Sequence, residues 1–207
     1  MSPRPIIFLG PSLSRAEARA IVEADFRPPL RSGDLDALPR GSIVGIVDGV
    51  LDASRLPPCE AVRALARGAR LYGAASTGAL LAARLRDARF IGLGRVFELV
   101  ARHSDAADDL VAVLYADPDN TPLTVPLANA ILTFIDQLQP HDPRLVEAAI
   151  AALRRIPLEK RTQSALLACL RDVAPATEYY SRLPILGNYK AEDARLLLQR
   201  LAGPTGA

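Results

Sequence analysis

Apolar residues fall in short runs in the first half of the chain and recur at helical spacing in the second. Pro5-Ile6-Ile7-Phe8-Leu9-Gly10 is a continuous apolar run ended by Gly-Pro, the pattern of a strand buried on both faces. Ser14 and Glu17 form an S-x-x-E capping box, and Ala18, Ile21, Val22 and Phe26 continue it as a helical stripe. Pro28-Pro29-Leu30 to Gly33-Asp34 reads as extended or looped, because proline blocks helix there. Residues 43–47 form a second strand closed by Asp48-Gly49. Pro57-Pro58 opens a helix over 59–67, with Gly68 as its C-cap. Residues 70–74 form a third strand, and 78–86 a helix rich in Ala and Leu. Such alternation predicts an α/β fold, a parallel sheet flanked by helices and joined by right-handed crossovers.

After Phe90-Ile91-Gly92-Leu93-Gly94 the β-branched runs stop. Residues 95–102, 127–138, 143–155, 163–173 and 191–201 read as helices, punctuated by prolines 140, 143, 157, 175 and 184. The expected organisation is an α/β core over residues 1–139 and a C-terminal all-helical extension over 140–207, its last residues from Gly203 a frayed tail.

Composition narrows the class. At about 150 residues per domain, 207 residues make one domain with an appendage. Half the residues are hydrophobic, which excludes intrinsic disorder. The formal charge of +2 and the absence of tryptophan argue against a nucleic-acid partner. No apolar run approaches the roughly 20 residues of a membrane span, and the run from Ile6 to Leu9 is too short for a signal-peptide core. Cys59 and Cys169 form neither a disulfide framework nor a zinc site. A cytoplasmic protein is expected, with no membrane association. Only Lys160 and Lys190 among the 25 basic residues are lysines, which leaves few candidates for a catalytic amine.

The polar residues gather at one place in this pattern. Gly10-Pro11-Ser12, Gly33-Asp34, Asp48-Gly49 and Ala75-Ser76-Thr77-Gly78 each end an extended segment. In an open parallel sheet, ligands bind beyond the carboxyl ends of the strands. Gly73-Ala74-Ala75-Ser76-Thr77-Gly78 runs from strand into helix. Ser76 is either a nucleophile on a tight turn or, with Thr77, a helix cap. The backbone N–H groups there offer an anion or carbonyl-oxygen site. The run is neither a G-x-S-x-G elbow nor a P-loop. Asp48 and Asp34 can orient a water or accept a proton, while a simple turn is the other reading of Asp48-Gly49. Cys59 lies near a helix N-terminus, where a thiol pKa falls, or is an inert buried cysteine. His103 and His141 are the histidines available as a base, with a surface role as the plainer reading of both. No group of residues has metal-ligand spacing, and no metal or cofactor is expected.

Taken in order, Phe8-Leu9-Gly10-Pro11-Ser12-Leu13, Arg27-Pro28-Pro29 with Gly33-Asp34, Ile46-Val47-Asp48-Gly49, Gly73 to Leu80 and Gly92-Leu93-Gly94 resemble the TfuA-like core domain family. Asp109 in Asp108-Asp109-Leu110-Val111-Ala112, and Pro122 to Asn129, extend the resemblance to about residue 130. It implies an accessory protein in peptide or protein backbone thioamidation, acting beside a YcaO-type ATP-dependent enzyme. Its other partners would be a ubiquitin-like sulfur-carrier protein, from whose thiocarboxylate it releases sulfide, and a precursor peptide. Ser76, with the N–H groups of Thr77 and Gly78, would supply the nucleophile and oxyanion site; Asp48 or Asp34 would be the base or water-orienter. Gly10, Pro11, Ser12, Gly49, Cys59, Glu60 and Gly73 complete the expected binding set. The chain departs from the family pattern at Cys59, where a lysine is usual, and at Leu81, Arg84 and Val125. Those departures raise the alternative of a non-catalytic adaptor that docks a YcaO-type enzyme or its peptide.

Overall fold

Alternate residues of the first apolar run point to opposite faces, as a pleated strand requires, and both faces are covered. Ile6 and Phe8 of β1 (Ile6–Phe8) enter one core with Leu30, Val44, Ile46, Leu65, Leu71 and Phe90. Ile7, and Leu9 just beyond, enter a second with Leu13, Ala18, Val47, Ala74, Leu197 and Leu198. The computed structural model describes residues 4–50, 58–85, 89–103, 107–116, 120–138, 143–173 and 185–203. Pro57, His141, prolines 140, 175 and 184, the expected border at 139–140 and the tail from 204 lie outside them.

The α/β class is found, with a five-stranded parallel sheet. β2 (Asp25–Arg27), β1, β3 (Ile43–Ile46), β4 (Arg70–Gly73) and β5 (Phe90–Gly92) lie in the order β2-β1-β3-β4-β5. The order reverses between β1 and β3, so the topological switch point of this doubly wound sheet falls between their carboxyl ends. On one face, Ala18 of α1 (Arg15–Ile21) and Ala191, Ala194, Leu197 and Leu198 of α9 (Tyr189–Ala202) seal the core. On the other, α2 (Pro58–Ala66) contributes Ala61, Ala64 and Leu65, and α3 (Thr77–Leu85) contributes Leu81 and Ala82. Leu197 and Leu201 press onto β3 at Gly45, where a Cβ would lie 2.8 and 2.9 Å from their methyls. Burying Leu197 fully contributes about 1.5–3 kcal/mol, and the partly buried Leu201 adds less, so α9 is held against the strand.

Local signals set most helix ends. The Ser14 hydroxyl accepts the Glu17 N–H at 3.2 Å and caps α1. Gly68, at φ +87°, closes α2 in a Schellman turn, its N–H on Leu65 O and that of Ala69 on Ala64 O. The helical stripe, however, does not reach Phe26. Val22 is already extended as the C-cap of α1, and Phe26 pairs with Ile7 inside β2. Sheet pairing overrides the helical spacing there.

Two compact units emerge: Met1–Asp108 with Lys190–Ala207, and Asp109–Tyr189. The second holds α6 (Leu127–Leu138), α7 (Pro143–Leu153) and α8 (Gln163–Val173), and a two-stranded antiparallel ribbon of Tyr115–Ala116 and Thr121–Pro122. Its buried Arg161 donates to the Asp109 carboxylate at 2.6 Å, to the Asp109 carbonyl at 3.0 Å and to the Ile156 carbonyl at 3.1 Å. Asp109 thus ties down the start of this unit.

Candidate functional site

The turn from β4 into α3 is shaped by two glycines. A Cβ on Gly78 would fall on the Ile46 carbonyl, and one on Gly73 on the carbonyl of Gly78. Only bare backbone lets the N-terminus of α3 close against the ends of β3 and β4. Between them Ala75 is held at φ +63°, a left-handed conformation that costs a residue with a Cβ about 1–2 kcal/mol. Ser76 follows immediately. Its N–H and that of Gly78 both donate to the Val47 carbonyl, at 3.3 and 3.4 Å, whereas the N–H of Thr77 between them does not. Gly78 is therefore occupied as a backbone donor, whereas among the described residues the Thr77 N–H donates to no carbonyl at the strand ends. The Thr77 hydroxyl donates to the Gly49 carbonyl at 3.2 Å.

Asp48 follows β3 and reaches across the switch point to the chain after β1. Its Oδ2 accepts the N–H groups of Gly10 at 2.9 Å and Ser12 at 3.1 Å, and its Oδ1 accepts the Ser12 hydroxyl at 2.6 Å. Pro11 lies between these donors. A turn residue would be solvated, but Asp48 is 2% exposed. The sequence reading of a simple turn is thus replaced by a buried carboxylate holding the β1 loop. Gly10 is confined by the same contact, since a Cβ there would lie 2.5 Å from Pro29 and 3.3 Å from Asp48.

A further charged group joins this cluster. Lys190, in the first turn of α9, is 3% exposed, and its Nζ donates to Ser76 Oγ at 3.1 Å. Burial pushes the amine below the ordinary lysine range, and the Asp48 carboxylate opposes that fall. Ser76, itself 4% exposed, is thereby linked to a buried amine and through it to Asp48. Lys190 is one of two lysines in the sequence, and nothing in its local pattern gives it a role. It stands 114 residues from Ser76, and only the packing of α9 on the sheet brings the two together.

The remaining expected residues form a second cluster. Glu60, buried in the first turn of α2, accepts the Ser32 hydroxyl at 3.0 Å and the Gly33 N–H at 2.9 Å. Asp34 accepts the Arg31 N–H at 2.7 Å within its own loop. Among the described residues no hydrogen bond joins Asp34 or Glu60 to Ser76, so these carboxylates order the loop after β2. Cys59 is exposed, and the sequence expectation of an inert buried thiol does not hold. The Arg63 guanidinium is held in its charged form by Asp36 and, secondarily, by Cys59. His103 is the C-cap of α4 (Arg95–Arg102). Among the described residues no three His, Cys, Asp or Glu are grouped to hold a metal ion.

The arrangement at the strand ends combines a hydroxyl, an amine, a carboxylate and a helix N-terminus, the parts required for acyl transfer at a serine. No curated protein matches the chain. The TfuA-like protein family matches residues 48–162, more than half of the sequence, and takes in Asp48, Gly49, Cys59, Glu60 and the Gly73 to Gly78 turn. The chain belongs to the TfuA-like protein family.

Proposed function

We propose that this protein releases sulfide for backbone thioamidation by hydrolysing a thiocarboxylated sulfur-carrier protein, in support of a YcaO-type ATP-dependent enzyme. One observation carries the reading: Ser76, Lys190, Asp48 and Ser12 are buried together at the carboxyl edge of the sheet. A docking surface has no need of such a cluster, because polar groups cost free energy to bury and a purely structural edge is served by apolar contacts. Family membership supplies the substrate class.

In this reaction the Ser76 oxygen adds to the thioacid carbonyl, and the developing oxyanion lies at the N-terminus of α3, against the Thr77 N–H. Collapse breaks the carbon–sulfur bond, expels hydrogen sulfide anion carrying the serine proton, and leaves an acyl ester on Ser76, which water then cleaves to the carboxylate and the free serine. Asp48 fixes the β1 loop through Gly10 and Ser12 and supplies the negative charge beside Lys190. Gly73 and Gly78 set the turn, and the Gly49 carbonyl accepts the Thr77 hydroxyl beside it. The setting is the cytoplasm, where ATP is available to the YcaO-type partner and a precursor peptide can be presented.

The test is sulfide release from a carrier protein bearing a C-terminal thiocarboxylate. The wild-type protein accelerates release, and Ser76→Ala reduces the acceleration at least about 100-fold while remaining folded. Undiminished release by Ser76→Ala and by Asp48→Asn removes these residues from the chemistry. Stimulation of a YcaO-type enzyme that survives both substitutions identifies the protein as an adaptor.

A further inference from the structure

We infer that Ala75 is a positioning residue: the strained turn it centres keeps the Ser76 hydroxyl from capping α3 and so presents it to the acyl group. The inference deepens the reading of Ser76 as nucleophile and rests on it.

The backbone conformation is specific. Ala75 has φ +63°, and the Ser76 N–H donates to the Ala74 carbonyl at 2.7 Å. A hydrogen bond from residue i+2 to residue i around a positive φ marks the rarer and more strained form of the γ-turn. Among the described residues only one other non-glycine, Asn120, has a positive φ. Glycine adopts such a turn without steric cost. Gly73 and Gly78 nevertheless stand where space demands them, neither at positive φ, while the position that conformation would give to glycine is alanine.

Strain of this kind persists where the surroundings over-determine it, and here they do. Ala75 is fully buried, in the core that takes in Ile7, Leu9, Ala18, Ala191 and Ala194. Ser76 is tied at both ends of its backbone. Its N–H is shared between the carbonyls of Ala74 and Val47, at 2.7 and 3.3 Å, and its own carbonyl accepts the Leu80 N–H at 3.1 Å.

The consequence lies in the side chain. Ser76 directly precedes Thr77, the first residue of α3, and so occupies the N-cap position. A serine there ordinarily turns its hydroxyl onto an N–H of the first turn. Ser14 does this at the start of α1, accepting the Glu17 N–H at 3.2 Å. The equivalent donor in α3 is Ala79, yet among the described residues no N–H of α3 donates to Ser76 Oγ. Two serines at the same helical position thus place their hydroxyls differently. Leu13, before Ser14, is not at positive φ, and Ala75, before Ser76, is. A capping hydroxyl commits a lone pair to the helix, whereas a nucleophile needs that lone pair for the carbonyl carbon.

Ala75→Gly tests the inference, because it removes the strain and the buried methyl that locks the turn. A serine-directed fluorophosphonate probe reads Ser76 without the sulfur carrier. The Ser76 oxygen bonds to phosphorus, fluoride departs with the bonding electrons, the serine proton passes to solvent, and peptide mass analysis locates the adduct. Folded Ala75→Gly lowers the maximal labelling rate at least about 10-fold and leaves the half-saturating probe concentration within about 2-fold. Its Ala79 amide exchanges with deuterium more slowly than in the wild type, having gained the Ser76 hydroxyl as acceptor. Asn120→Gly, which relieves the other positive φ, labels as the wild type does. Wild-type labelling by Ala75→Gly overturns the inference and leaves Ser76 as nucleophile. So does slower labelling with faster exchange at Ala79, the mark of a merely loosened turn. A wild-type protein that the probe does not label at Ser76 overturns both the inference and the reading beneath it. Labelling in the expected pattern without any sulfide release retains the role of Ala75 and retires the thiocarboxylate substrate.

Discussion

The Asp48 carboxylate accepts the Ser12 hydroxyl at 2.6 Å, joining the end of β3 to the loop after β1 across the switch point of the sheet. With the N–H groups of Gly10 and Ser12 on its other oxygen, this side chain organises the site and also supports the fold. Asp48→Asn presents an amide with one acceptor oxygen to a cluster built around two, and it leaves Lys190 without its negative neighbour. We expect a loss of about 2–4 kcal/mol in urea unfolding. Lys190→Met, an apolar replacement of similar length, costs less. The double variant is more stable than the sum of the single losses predicts, by at least about 1 kcal/mol. Strict additivity contradicts the coupling.

The glycines of the Ser76 turn differ sharply from the glycine that ends α2. Gly78→Ala drives a methyl into the Ile46 carbonyl, backbone against backbone, and should cost about 3 kcal/mol or more. Gly68→Ala meets no atom closer than 3.9 Å and pays only for its positive φ, about 1–2 kcal/mol. Denaturation midpoints of the two variants at equal m-value check the order.

Asp193 gives the protein a pH signature. Burial raises its carboxyl to about 6, above the 3.8 of an exposed aspartate, despite the N–H bonds from Val96 and Arg95 that favour the ionised form. Between these two values the folded protein holds a proton that the unfolded chain has released. This group's contribution to stability is therefore greatest below about pH 4 and declines as pH rises through 6. The decline amounts to at most about 3 kcal/mol. In Asp193→Asn that part of the slope disappears. Unfolding free energies of both proteins measured from pH 4 to 7 should converge toward a common slope only outside this window. Parallel curves throughout would contradict the assignment.

Adjacent residues in the first turn of α2 should behave in opposite ways. Glu60→Ala leaves the Gly33 N–H and Ser32 hydroxyl without their acceptor and costs about 1–3 kcal/mol. Cys59→Ser alters an exposed side chain and stays within about 0.5 kcal/mol of wild type. Full sulfide-releasing activity in Cys59→Ser shows that the thiol takes no part in the reaction.

Much of the site was legible because it lies at the ends of strands. Asp48, Ser12 and Ser76 are polar residues terminating apolar runs, and a parallel sheet carries such residues to one edge. The three central strands and helices such as 95–102 and 127–138 follow from periodicity alone. β2 was hidden because Phe26 continues the spacing of α1, and only pairing with Ile7 decides between helix and strand. The two-residue strands at Tyr115 and Thr121 are too short to carry a pattern. Lys190 was hidden for a different reason. Its helix has an ordinary apolar stripe, and nothing local shows that the stripe covers β3 at Gly45 and so delivers an amine to Ser76. The scarcity of lysine was the single trace of it in the sequence.

In the proposed reaction, acyl transfer from a thioacid passes through Ser76. Rapid mixing of the protein with a carrier bearing a C-terminal thiocarboxylate, acid quenching and mass spectrometry test it most directly. The expected result is a carrier–protein ester mapped to Ser76, formed together with sulfide and absent from Ser76→Ala. Sulfide released at the wild-type rate by folded Ser76→Ala, with no adduct at Ser76 in the wild-type protein, would contradict it.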